Sequence, residues 1–177
     1  MSFDTTGNYV DVYNLEIATT YYYKVVNNTF EIEGEVGKIV VEDQAPRNLY
    51  VPGMTNVRDI GGWGIETLTK RIKQGLIYRT ARGNSITEAG KTILKQDLGI
   101  KTEIDLRHPE LDDGIVGVSS DIDYYNFPIN CEDKVLPRQD NQDSIKQCFE
   151  IFADPNNYPI MYHCTLGRDR GGIVSIL

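Results

Sequence analysis

The clearest apolar pattern near the front of the chain is dense rather than periodic. Residues 18–27 (ATTYYYKVVN) and 36–41 (VGKIVV) are rich in β-branched and aromatic side chains, with Asn27-Asn28 and Gly34 between them. That predicts two antiparallel strands. Pro46, within QAPRN, marks a boundary, and beyond it short apolar runs alternate with helical stretches. LIYRT (76–80), KTEIDLR (101–107), DIDYYNFPI (121–129) and PIMYHC (159–164) read as strands. A helix should open at Ile86-Thr87-Glu88 with Thr87 as N-cap, carry Ala89, Ile93 and Leu94 at helical spacing, and stop at Gly99 in the left-handed conformation. A second should run from Ser144 to Ala153 with Ile145, Cys148, Phe149 and Phe152 on one face, ended by Asp154-Pro155. A third should begin just after Arg170. This alternation predicts an α/β fold, a mostly parallel sheet flanked by helices.

Charge divides the chain at the same boundary. The 177 residues carry a formal net charge of −8, but residues 1–44 account for −6 and the remainder for −2. We therefore expect a β-rich unit over 1–44 and a larger α/β domain over 45–177. An acidic chain argues against nucleic acid or an anionic membrane as partner. No apolar run approaches the length of a membrane span, and the polar, acidic start MSFDTTGNYV is not a signal peptide. These features suit a soluble protein, cytoplasmic or derived from a secreted or cell-surface parent. The three cysteines, Cys131, Cys148 and Cys164, form no CxxC pair, so neither a zinc ribbon nor a disulfide framework is supported. Cys148 reads as core by helical spacing, and Cys131 as inert or, alternatively, as a resolving thiol.

The informative chemistry lies in PIMYHCTLGRDRGGIVSIL (159–177). A buried strand delivers His163-Cys164, five residues intervene, and Arg170 is followed by an apolar, small-residue stretch that reads as a helix start. Five residues between Cys and Arg suit a semicircle whose backbone N–H groups converge at a helix N-terminus, an arrangement that binds phosphate. The dipole and the guanidinium favour the thiolate of Cys164, a nucleophile towards phosphorus. Arg170 can grip two oxygens in a bidentate fork, and Gly167 allows close approach to the anion. The remaining loop positions are Thr165, Leu166 and Arg168. The spacing alone is a weak signal; the preceding His, the internal Gly and the flanking strand and helix strengthen it.

HCTLGRDRGG resembles the HC-x-x-G-[KR]-D-R-[ST]-G loop of protein tyrosine phosphatases, particularly the bacterial tyrosine/serine group. Three further stretches resemble that group's motifs in the same order: Asn56 to Gly62 (NVRDIGG), Gly75 to Arg79 (GLIYR) and Ile104 to Glu110 (IDLRHPE), the last departing in where the acid falls. The resemblance covers about residues 46–177. It implies a cysteine-dependent phosphatase fold and hydrolysis of phosphomonoesters through a phosphocysteine, without metal or cofactor. The partner it implies is a phosphorylated protein or small phosphomonoester. It makes Asp169 the candidate general acid. Asp112, Asp113 and Asp133 are the alternatives if the acid sits on a separate loop, as in many phosphatases. Arg168, where the family often has Lys, could touch a second anionic group. Arg58, Asp59, Asp105 and Arg107 read as supports of the loop or as an ordinary salt-bridge network. His163 reads as a support of the cysteine.

Two departures qualify the expectation. Gly171 stands where the family has a Ser or Thr whose hydroxyl helps the thiolate leave. The helix after the loop is also short, so the domain is expected to be incomplete at its C-terminus, with an exposed face that could pair with a second chain. At the front, LEIATTYYY (15–23) followed by VV resembles the tyrosine-corner stretch of fibronectin type III domains, so 1–44 reads as a partial sandwich or as a native hairpin. Within this frame the rival to a phosphotyrosine hydrolase (phosphoserine, phosphothreonine and phosphoinositide being its variants) is a silent phosphate-binding module. A sulfur-transferring or arsenate-reducing thiol enzyme is disfavoured because Cys131 and Cys148 lack a paired redox spacing.

Overall fold

A computed structural model describes residues 2–65, 68–131 and 138–177. Strands β1 (Thr20–Asn27) and β2 (Ile32–Val40) pair antiparallel as the pattern predicts. Apolar side chains stand exposed along this hairpin, among them Tyr22, Val25, Ile32 and Val36. The residues before it dock on the rest of the chain. Ile17 is buried, and its backbone exchanges two hydrogen bonds with the side chain of Gln74.

The central sheet begins with two short strands that carry no apolar signature, β3 (Arg47–Asn48) and β4 (Arg58–Asp59). Their pairing is held by a buried ion pair. Arg47 Nη1 donates to Asp59 at 2.9 Å, and the Asp59 carboxylate also accepts from the N–H groups of Gly61 and Gly75, each at 2.7 Å. Arg47 reaches back to the carbonyls of Asn14 and Leu15, which ties the segment ahead of the hairpin to the sheet. A small pair, β5 (Gly64–Ile65) and β6 (Leu68–Arg71), follows.

The strands that position the site are β7 (Ile77–Thr80), β8 (Thr102–Asp105), β9 (Asp123–Asn126) and β10 (Ile160–His163). Among the described residues one six-stranded sheet forms in the order β3-β4-β7-β10-β8-β9, parallel from β7 through β9 and antiparallel at β3 and β4. Parallel strands covered on both faces should be buried at every position, and all four residues of β8 and of β10 are. Side chains alternate between two cores. Met161 and Tyr78 join Leu49, Val51, Leu94 and Leu98 on one face; Ile160 and Tyr162 join Ile104, Cys148 and Val174 on the other.

Helix α1 (Glu88–Thr92) covers the first face, with Thr87 accepting from the Gly90 N–H at 3.1 Å as the expected cap. It does not remain α-helical to Leu98 but widens into a π-helix over Ile93–Asp97, and Gly99 then turns the chain at φ 64°. Helix α2 (Gln139–Ala153) covers the other face. It starts five residues earlier than its apolar spacing suggests, because the buried Asn141 side chain exchanges hydrogen bonds with the backbone of Asn130 at 2.8 and 3.0 Å. Hydrophobic periodicity cannot register that polar anchor. Phe149, expected on the buried face, is instead 37% exposed and leans on Phe152. Helix α3 (Asp169–Ile176) follows the Cys164 loop.

Leu94 is 1% exposed at the heart of the first core. Leu94→Ala is expected to lower unfolding stability by about 2–5 kcal/mol, read as a shift of the urea midpoint at unchanged slope.

Candidate functional site

Strand β10 sits between β7 and β8, in register so that His163 is level with Thr80 on one side and Asp105 on the other. Cys164 follows at the strand's C-terminal end, 3% exposed. The turn from strand to α3 is tight. Gly167 adopts φ 67°, and a Cβ there would lie 2.4 Å from the Thr80 carbonyl oxygen, so no other residue fits.

Four successive loop carbonyls are each held from outside. Thr165 O accepts from the Arg82 N–H at 3.3 Å, and Leu166 O from Asn56 Nδ2 at 2.8 Å. Gly167 O accepts from Arg79 Nε at 2.9 Å, from Asn56 Nδ2 at 3.2 Å and from Arg58 Nη2 at 3.4 Å. Arg168 O accepts from Arg79 Nη2 at 2.7 Å and from the Gly172 N–H at 2.7 Å. A run of carbonyls turned outward leaves the intervening N–H groups to face inward, the geometry of an anion nest.

Arg170, one residue into α3, lies across the loop mouth. Its Nη1 and Nη2 donate to the two oxygens of Asp112 at 2.6 and 3.0 Å, and Nη2 also donates to Thr165 Oγ1 at 2.9 Å. The Thr165 hydroxyl donates in turn to Asp112 Oδ1, and the His108 N–H donates to Oδ2 at 3.0 Å. The Arg170 hydrogen bonds, aided by Thr165 and His108, outweigh burial and hold the Asp112 carboxyl far below the usual carboxylate range. Leu111, Asp112, Cys131 and Arg170 line a cleft of about 220 Å³. A larger cleft of about 270 Å³, lined by residues such as Lys91, Lys95 and Asp121, includes no residue of the loop.

Behind the cysteine lies a buried polar layer. His163 Nε2 meets Glu103 Oε1 at 2.9 Å, and Glu103 Oε2 accepts from the Val118 N–H at 2.8 Å. Asp105 receives Arg107 Nε and Nη2, the Arg107 N–H and the Tyr124 hydroxyl, all within 3.1 Å. Burial and the neighbouring Asp105 charge push the Tyr124 hydroxyl well above its ordinary range, so it remains a donor. Arg107 Nη1 continues to Asn84 and to the Asp113 carbonyl, which ties the layer to the segment carrying Asp112.

The residues singled out in the sequence therefore separate. Cys164, Thr165, Gly167 and Arg170 share the loop and its mouth, while Leu166, Arg168 and Asp169 are exposed on it. Arg58 touches the loop, and Asp105 and Arg107 lie behind it. Asp59 takes the second of its two readings, an ion pair: its partners are Arg47, Gly61 and Gly75 at the sheet edge. Of the alternative acids, Asp112 meets Arg170, Asp113 contributes its backbone and is exposed, and Asp133 lies outside the described residues. Gly171 is buried against Arg79. Asn56, Arg79 and Glu103 lay within or beside the recognised motifs, but nothing in their residue type marked them as braces. Among the described residues no cluster of three or more His, Cys, Asp or Glu could hold a metal, and no helix is long and apolar enough to cross a membrane.

The site is thus built from a strand, a tight turn with an embedded thiol, and a helix carrying the facing arginine. The description "Tyrosine phosphatase family" matches residues 49–177, and the chain belongs to that family. No curated protein matches it. Solved structures similar to it include the core catalytic domain of the PP-IP phosphatase Siw14 from S. cerevisiae in complex with citrate, 20% identical with a TM-score of 0.39. A second Siw14 catalytic core is 22% identical with a TM-score of 0.40. In both, the match covers 55% of this chain and 57% of the other, so the chain spans little more than half the length of these structures.

Two outcomes test the geometry. Arg79→Ala removes the donors to Gly167 O and Arg168 O, and should weaken vanadate binding by roughly ten- to hundredfold, measured by calorimetry on a variant that remains folded. The second concerns pH. Because folding depresses the Asp112 carboxyl, its stabilisation is present above the ordinary carboxylate range and is lost as pH falls through that range towards the folded value. Asp112→Asn should accordingly lower the melting temperature at about pH 6, and the gap from the parent should narrow towards about pH 3.

Proposed function

We propose that the chain is a cysteine-dependent phosphoric monoester hydrolase acting on phosphotyrosine-like monoesters. The observation that carries the reading is the thiol of Cys164 at the head of a loop whose four carbonyls are turned outward, with Arg170 across its mouth. Exposed Leu166 on the loop and Leu111 at the cleft offer apolar surface to an aryl leaving group. The Cys164 thiolate attacks phosphorus while the P–O bond to the leaving group breaks, and Asp169 gives its proton to the departing oxygen. Water then attacks the phosphocysteine, returns a proton to Asp169 and releases phosphate and the thiolate. Asp112 is the poorer acid, because its bonds with Arg170 keep it ionised. To take two phosphoryl oxygens on one edge, Arg170 must present Nε and Nη2, so the Thr165 hydroxyl has to release Nη2 when substrate enters.

The second reading, a phosphate-binding module without turnover, is favoured by Gly171. With no hydroxyl at that position, the thiolate loses a hydrogen bond worth about 1.5–3 kcal/mol in the second step. A Cβ at residue 171 would meet Arg79 Nε at 3.3 Å, close enough to require a small shift of that side chain and no more. Hydrolysis of an aryl phosphate between about pH 5 and pH 7 separates the readings. Turnover is expected in the parent, abolished in Cys164→Ser and raised roughly tenfold in Gly171→Ser. A parent that binds vanadate but turns over nothing, in company with an inactive Gly171→Ser, leaves only the binding module.

A further inference from the structure

Strands β4 and β7 pair so that Arg58 lies directly opposite Arg79. Residues opposite one another in an antiparallel pair project to the same face, and like charges so placed repel. Both side chains are half-buried, and both donate to one atom, Gly167 O, at 3.4 and 2.9 Å. The two guanidiniums therefore lie side by side. Burial, and after it the Arg79 charge, lower the Arg58 guanidinium from its ordinary range. Among the described residues neither arginine forms an ion pair with a carboxylate, whereas Arg47, Arg107 and Arg170 are matched by Asp59, Asp105 and Asp112. Asp59, next to Arg58 in sequence, projects to the opposite face of the strand and is taken by Arg47. Donors also remain. Arg79 spends one hydrogen from each nitrogen, on Gly167 O, Arg168 O and Ser175 Oγ. Arg58 spends one from Nη1 on Asn56 Oδ1 and one from Nη2 on Gly167 O. The Nε–H of Arg58 and the second hydrogen on every terminal nitrogen of both side chains find no acceptor among the described residues.

We propose that Arg58 and Arg79 form a second oxyanion site, on the outer side of the Cys164 loop, whose ligand is a tetrahedral dianion such as inorganic phosphate. Two adjacent positive charges match the charge of the dianion, and spare N–H groups on two guanidinium edges match its several oxygens. The ligand takes only hydrogens that hold nothing else, so it displaces no existing bond. Bound there, it offsets the repulsion between the two arginines while Gly167 O and Arg168 O stay held. The site is separate from the loop interior. Its arginines grip carbonyls turned outward, and the cleft at the mouth is lined by Arg170 and by neither of them. The inference goes beyond the proposed hydrolase and does not depend on turnover of a phosphoester.

The test is calorimetric titration of the full chain with inorganic phosphate at about pH 8, where the dianion dominates, with ionic strength fixed by chloride. Arg170→Gln removes the clamp at the loop mouth and isolates the second site; should that variant not fold, the parent loaded with an equivalent of vanadate takes its place. Phosphate binding is expected to persist in Arg170→Gln and to weaken roughly tenfold or more when Arg58→Gln is added. Because Arg58→Gln also removes a contact to the loop, a second readout keeps both arginines. In ¹⁵N-labelled Arg170→Gln, the Nε–H signals of Arg58 and Arg79 should shift together, with the midpoint found by calorimetry. Acetate should compete roughly tenfold less well than phosphate. Loss of all phosphate binding in Arg170→Gln overturns the proposal. So does binding indifferent to Arg58→Gln, a pair of arginine signals that phosphate leaves unmoved, or acetate that competes equally. A chain that binds phosphate here yet hydrolyses no aryl phosphate keeps this inference and loses only the hydrolase.

Discussion

The structure turns on a constraint of the peptide unit: a loop that offers its N–H groups to an anion must send its carbonyls the other way. Those carbonyls then need donors of their own, since an unpaired buried carbonyl costs about as much as a lost hydrogen bond. Here the donors come from distant parts of the chain. Asn56 and Arg58 arrive from the segment around β4, Arg79 from β7, and the Arg82 N–H from the turn beyond β7. Arg79 alone spans Gly167, Arg168 and Ser175, so it fixes the loop to the first two turns of α3. The antiparallel edge β3-β4 is thus more than a sheet ornament. It carries the residues that hold the loop open, and the buried Arg47–Asp59 pair holds the edge.

Much of this was legible from residue types. The strands β1, β2, β7, β8, β9 and β10 announce themselves through β-branched and aromatic runs, and α1 through its Thr87 cap and Gly99 stop. The turn at Cys164 stood out because the preceding His, the internal Gly and the flanking strand and helix reinforce a Cys–Arg spacing that is weak alone. What escaped was polar. Strands β3 and β4 are two residues each and are held by charge rather than by apolar alternation. The early start of α2 rests on Asn141, and the sequence left Asp59 open between loop support and an ion pair because its motif neighbours Asn56 and Arg58 do touch the loop. A long-range hydrogen bond leaves no period in the sequence, so the braces can be placed only when the fold is in hand.

The buried layer behind the cysteine follows from the same logic. Burying Asp105 and Arg107 together is costly unless each is saturated, and breaking one member leaves a stranded charge. Asp105 accepts from four donors, three on Arg107 and one on Tyr124, and Arg107 extends to Asn84 and Asp113. That chain of bonds links the floor of the site to the segment from His108 to Asp113, whose Asp112 faces the mouth. Glu103 plays the corresponding part for His163, fixing the ring through Nε2 while its other oxygen is used by Val118. The Nδ1 of His163 is buried and has no hydrogen-bond partner among the described residues, with Asp105 3.7 Å away. The layer is therefore rigid on the Arg107 side and less fully satisfied directly beneath Cys164.

Asp112 and Thr165 set the working balance at the mouth. Arg170 needs a partner when no anion is bound, because a half-buried guanidinium without one would be costly. Asp112 supplies it end-on through Nη1 and Nη2, which keeps the arginine extended across the loop. On the proposed reading, a phosphoryl group takes the Nε edge and displaces only the Thr165 hydroxyl from Nη2. The exchange replaces a neutral acceptor with a charged one, so it favours binding, while the Asp112 contact can persist. The same economy leaves little help for the departing thiolate. Gly171 contributes no hydroxyl, and Ser175, the nearest such group on α3, is already engaged by Tyr162, Arg79 and the Gly171 carbonyl. A loop so well braced for capture and so sparsely equipped for release should bind the anion more readily than it discharges the intermediate. On the proposed hydrolase reading, the level of turnover is then set by the second step rather than by the first.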